Sequence, residues 1–179
     1  MIRAAYSFLL LFIAFMIEVL LEYSGLRVIL IAPIIFYLTF AFGHWYGIVC
    51  SILAGCALDF CYGAENPWTS LCFLLVTGFA VFWLHHSETD TMLPLMIPGA
   101  VLPFLSRFPA DMIHSGFSSE VILDSFLDSL LCSFISAIFF PLLVILLDWI
   151  GAFLALELFA DAGERLRNRK TSLPPRRIL

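Results

Sequence analysis

The stretch GHWYGIVCSILAGCALDFCYGAENP, residues 43–67, decides how this chain folds. Every fourth residue in it is small, apart from one carboxylate. We call this set the small-residue stripe, and its members are Gly43, Gly47, Ser51, Gly55, Asp59 and Gly63. Residues four apart share one face of an α-helix, so the stripe predicts a groove without bulky side chains. Such a groove lets a neighbouring backbone approach closely, as small-xxx-small packing does in membranes.

The composition is that of an integral membrane protein. Hydrophobic residues make up 62% of the 179 positions, the mean hydropathy is +1.02, and only 13% of residues are charged, against about 25% in a soluble domain. At roughly 20 residues per spanning helix, a chain of this length holds about six spans and no sizeable soluble domain. We therefore expect an all-α integral membrane protein, a bundle of about six transmembrane helices.

The apolar runs place these spans and divide the chain into two parts. The bundle should occupy residues 1–158, and residues 159–179 form a polar, basic tail. Pro33 suggests that the short second span is broken, tilted or partly re-entrant, and Pro141 suggests a kink in the sixth. The fifth segment holds four prolines and cannot be one regular helix. The six predicted spans cover residues 4–21, 28–42, 45–62, 67–84, 92–112 and 127–155.

Positive charge is concentrated at the C-terminus. Six of the nine Lys and Arg residues lie within the last fifteen positions, so the positive-inside rule predicts a cytoplasmic C-terminus, and six spans put the N-terminus on the same side. The tail either contacts anionic lipid, at about 1 kcal/mol per basic residue near the surface, or only sets the orientation of the chain. The residues proposed for lipid contact are Arg165, Arg167, Arg169 and Lys170.

Asp59 is the sharpest candidate for a special role. A carboxylate at membrane depth costs about 2.5–3.5 kcal/mol on insertion scales, so it is usually paired, directed into a cavity or functional. Because Asp59 lies near the end of its span, it can also reach interfacial water or cap a neighbouring helix. We favour this structural or interface role over proton or ligand binding.

Three further charged residues form a possible intramembrane ion pair. Arg107 and Asp111 are four apart, the spacing of a local pair on one helix. Arg107 could instead pair with Glu18 or Asp59 on another helix and so hold the bundle together. The sequence leaves both arrangements open.

The sequence predicts neither a metal site nor a cofactor. His85, His86, Glu88 and Asp90 form a polar loop, and an adjacent His pair does not present both rings to one ion as an i, i+4 pair does. The five cysteines show no C-x-x-C spacing and are interpreted as small packing residues. The common phosphate-loop, zinc-protease and serine-hydrolase motifs are absent. We therefore expect a protein that is not an enzyme, and we expect no nucleic-acid partner.

The order of the spans, together with a short motif, resembles a known family. The third span carries G-x7-G-x3-D (Gly47, Gly55 and Asp59), then Gly63 and a fresh apolar span. A short second span with a proline precedes it, and residues 125–141 onward are similar to the last helix of the same family. In these features the chain resembles the bacterial rod shape-determining protein MreD over nearly its whole length, although its proline-rich fifth segment and long basic tail depart from the pattern.

This resemblance implies a non-enzymatic scaffold in the bacterial inner membrane, with an S-component-like fold and both termini cytoplasmic. It implies binding to MreC and, indirectly, a connection with MreB, a SEDS-type glycosyltransferase and a class B transpeptidase in lateral peptidoglycan synthesis. The small-residue stripe, or a neighbouring face, would then receive the partner's helix. The alternative is a small-molecule carrier of the S-component type from an energy-coupling-factor transporter. Such carriers dock through Ala-x-x-x-Ala in the first helix, where this chain offers a lone Ala14.

Overall fold

The structure, a computed structural model, describes residues 2–24, 29–63, 66–86, 92–115 and 119–153. All regular secondary structure in these ranges is helical, which confirms the all-α prediction. Seven helices occur in the described residues: α1 Ile2–Tyr23, α2 Ile31–Phe42, α3 His44–Cys61, α4 Trp68–His86, α5 Met92–Ser106, α6 Phe108–Ser115 and α7 Ser119–Phe153.

Three helices are long and apolar enough to cross a membrane by length and composition. They comprise Arg3–Tyr23 in α1, His44–Cys61 in α3 and Ile122–Ala152 in α7. The apolar parts of α2, α4 and α5 are shorter, at 10–17 residues. The six apolar helices follow the order of the six predicted spans, and half of them have the length that a full crossing requires.

Helix α2 is the centre of the bundle. Every residue from Ile31 to Ala41 is buried, and α2 packs against α1, α3, α4 and α5. Phe36 contacts Phe140 of α7 edge-to-face, with ring centroids 5.4 Å apart. The suggested break at Pro33 does not occur, because α2 begins at Ile31 and places Pro33 in its first turn. A proline is tolerated there, since first-turn N–H groups have no partner within the helix.

The fifth segment is interrupted, as its prolines predict. Helix α5 accommodates Pro98 and Pro103 and ends at Ser106. Helix α6 starts at Phe108, so Pro109 falls in its first turn, where it is tolerated. Arg107 lies at the junction between the two helices. Helix α7 is continuous over 35 residues with Pro141 inside it.

The helices form antiparallel pairs. At each end of the bundle, a hydrogen bond joins residues that are far apart in sequence. Helix α3 packs mainly on α4, and α5 packs mainly on α7. The Tyr6 hydroxyl donates to the Leu147 carbonyl at 3.3 Å, so the start of α1 lies beside the end of α7. At the opposite end, the Tyr62 hydroxyl donates to Glu22. We call this the Glu22 end; α1, α3 and α5 finish there, and α2, α4 and α7 begin there.

Candidate functional site

Gly55 marks the closest approach along the small-residue stripe. A Cβ atom added at Gly55 would lie 2.3 Å from the Ser70 Cα and 2.5 Å from the Ser70 backbone nitrogen. The backbone of α4 therefore occupies the space that a side chain at Gly55 would need. This is the close approach that small-xxx-small packing allows, and it occurs between two helices of the same chain.

Gly47 and Ser51 make further close contacts on the same face of α3, Gly47 with α2 and Ser51 with α4. A Cβ at Gly47 would meet the Thr39 Oγ1 of α2 at 2.1 Å. The Ser51 hydroxyl lies 2.7 Å from the Thr77 hydroxyl and also donates to the Phe73 carbonyl at 3.0 Å. These hydrogen bonds satisfy polar groups that are buried inside the bundle.

Asp59 caps the helix that follows it. Its Oδ1 accepts a hydrogen bond from the backbone N–H of Thr69, in the first turn of α4, at 3.3 Å. A carboxylate at a helix N-terminus satisfies an unpaired donor and complements the positive end of the helix dipole. Asp59 is 5% exposed, and its Oδ2 has no hydrogen-bond partner among the residues that the structure describes.

Gly43 and Gly63, at the two ends of the stripe, allow an unusual backbone conformation and make no close contact with another helix. Gly43 has φ +98° and Gly63 has φ +65°, and an added Cβ would meet nothing within 4 Å at either position. Glycine adopts such positive φ angles at no steric cost. Gly43 joins α2 to α3, and Gly63 lies just past Tyr62, the C-cap of α3.

These contacts correct the expectation that the stripe itself receives a partner. Of the proposed interface residues, Gly47, Ser51, Gly55 and Asp59 contact α2 or α4 of this chain, and Gly63 is a helix terminator. The sequence pattern identified a helix-packing groove, but it could not say which helix fills it. Gly47, Ser51, Gly55 and Asp59 are therefore not available to a helix from another chain.

Glu18 repeats the role of Asp59 on the first helix pair. Its Oε2 accepts from the backbone N–H groups of Leu30 and Ile31, both at 2.9 Å, and so caps the start of α2. Each carboxylate near the end of one helix thus holds the start of the next. The first N–H groups of a helix lack acceptors within the helix. The capping hydrogen bonds therefore remove the free-energy cost of burying these N–H groups without a partner.

The possible ion pair is local. Arg107 Nε lies 3.4 Å from Asp111 Oδ2, the i, i+4 arrangement. Glu18 and Asp59 direct carboxylate oxygens at backbone N–H groups instead, and Arg107 acts on Glu18 as a Coulombic neighbour. Arg107 therefore pairs with Asp111 and not with a carboxylate on another helix. Glu18 functions as a cap of α2.

Two adjoining cavities were not anticipated from the sequence. The apolar groove has a volume of about 420 Å³ and lies between α1, α2, α5 and α7. The polar cavity has a volume of about 400 Å³ and lies at the Glu22 end, where it is lined by Glu22, Arg107, Asp111, Asp124, Ser125, Leu127 and Asp128.

Tyr62 donates to Glu22 and is partly buried. This burial, followed by the effect of Glu22, raises the pKa of the Tyr62 phenol above its ordinary value.

Two structural contacts of α7 were also not predicted from the sequence. The Tyr37 hydroxyl donates to Asp148 Oδ1 at 2.9 Å, tying α2 to α7. A carboxylate beside an apolar run is a signal that could have singled out Asp148. A Cβ at Gly99 would lie 2.8 Å from the Ser136 carbonyl, so α5 and α7 also approach closely, although less closely than α3 and α4 do. The small residues on these two helices could have indicated this second close contact.

Several predictions concern residues outside the described ranges. The basic tail 159–179, with Arg165, Arg167, Arg169 and Lys170, is among them, as are Glu88 and Asp90. Within the part of the chain that the structure describes, no group of three or more His, Cys, Asp or Glu residues could hold a metal ion. The described cysteines are all free thiols.

Comparison of this chain with protein-family models, with curated proteins and with solved structures gives no match.

Proposed function

We propose that this chain is a non-enzymatic, multi-pass scaffold of the bacterial inner membrane with the role of an MreD-type protein. In this role it binds the MreC-type protein of the same cell and supports lateral peptidoglycan synthesis through MreB, a SEDS-type glycosyltransferase and a class B transpeptidase. Both termini are cytoplasmic in this proposal, which places the Glu22 end on the outer side of the membrane. The order of six apolar helices around the G-x7-G-x3-D motif supports it.

The observation that carries the proposal is the use of the carboxylates within the apolar helices. Glu18 and Asp59 cap α2 and α4, and Asp148 accepts from Tyr37. A charged group at membrane depth is costly and needs a reason. Here the reason is architectural in each case, because the carboxyl groups fix one helix against another. Carboxylates used in this way suit a protein that holds other membrane chains.

The outer face of α3 is the surface that we propose for the partner. It lies beside the small-residue stripe on the same helix and presents large apolar side chains at helical spacing. Trp45 is 71% exposed, Val49 54%, Leu53 61% and Phe60 88%. These side chains form ridges against which a single transmembrane helix can pack. An S-component-like carrier is less well supported, because Ile17, Ile135 and Phe139 on the lining of the apolar groove are exposed at the lipid-facing surface of the bundle.

Co-purification with the MreC-type protein of the same bacterium tests this function. Leu53→Ala with Phe60→Ala should reduce the recovered partner about tenfold or more, the factor that corresponds to about 1.4 kcal/mol. The matched control replaces two α7 residues of the same types that are also exposed, Leu131→Ala with Phe134→Ala, and should leave recovery unchanged. Cells that lack their resident MreD-type protein should regain rod shape with the control variant only. Equal recovery with both variants, or no partner with the wild type, contradicts the proposal.

A further inference from the structure

We draw no further inference here: the strongest candidate, the apolar groove between α1, α2, α5 and α7, opens at the surface of the bundle, and nothing in the structure shows what covers it.

Discussion

Gly55→Ala should separate α3 from α4. The added Cβ would lie 2.3 Å from the Ser70 Cα, whereas carbon atoms in contact are about 3.5–4.0 Å apart. Helix α4 would have to withdraw by roughly 1.2 Å or more, because the obstructing atoms are backbone and cannot rotate away. Overpacking of this kind costs about 1–3 kcal/mol. The withdrawal also stretches the Ser51–Thr77 and Asp59–Thr69 hydrogen bonds, so we expect a loss of about 3 kcal/mol.

Unfolding in mixed micelles with increasing dodecyl sulfate, followed by tryptophan fluorescence, measures this change in the free energy of unfolding. Gly78→Ala is the matched control, since it lies on α4 and an added Cβ meets nothing within 4 Å. Its stability should stay the same or rise by up to about 1 kcal/mol, the helix-propensity gain of alanine over glycine. If Gly55→Ala is as stable as Gly78→Ala, α3 and α4 do not pack through the stripe.

Three further changes test other contacts of the bundle. Glu18→Ala removes the cap of α2 and should lower the free energy of unfolding by about 1–2 kcal/mol, with faster hydrogen exchange confined to the first turn of α2; uniform exchange would contradict the cap. Gly47→Ala should be destabilising, and Thr39→Ala should partly rescue it in the double variant, because the obstructing atoms belong to the Thr39 side chain; additive losses would refute the contact. Because the pKa of Tyr62 is raised above 10.0 in the folded chain, its contribution to stability is complete below pH 10 and is lost as the pH rises further. Tyr62→Phe should therefore flatten the alkaline fall in stability, and an unchanged pH profile would contradict the raised pKa of Tyr62.

Much of the architecture could be predicted from local patterns. Apolar runs located the six main helices, because a long continuous apolar run favours a helix over a strand with alternating apolar and polar residues. The spacing of Gly47, Ser51 and Gly55 identified a close helix contact, and the prolines of the fifth segment located an interruption. Each of these features depends on residues near one another in sequence, so the sequence alone was sufficient.

The identity of the contacting helix could not be predicted in the same way. A groove of small residues accepts any helix of suitable shape, and in this chain α4, the next helix in sequence, packs alongside α3 and fills it. The break expected at Pro33 does not occur, because the effect of a proline depends on whether it lies inside a helix or in its first turn. The two cavities involve α1, α5 and α7, which are far apart in sequence, so no local pattern indicated them.

Photocrosslinking along α3 in cell membranes tests most directly whether this bundle holds a partner on its outer face. A photoreactive phenylalanine analogue at Leu53, on the outer face, should form a covalent product with the MreC-type chain. The same analogue at the buried Ala54, one residue further, should give products within this chain only. A crosslink to the MreC-type chain from position 54 with none from position 53 would contradict the arrangement, and no intermolecular product from either position would refute the proposed scaffold surface.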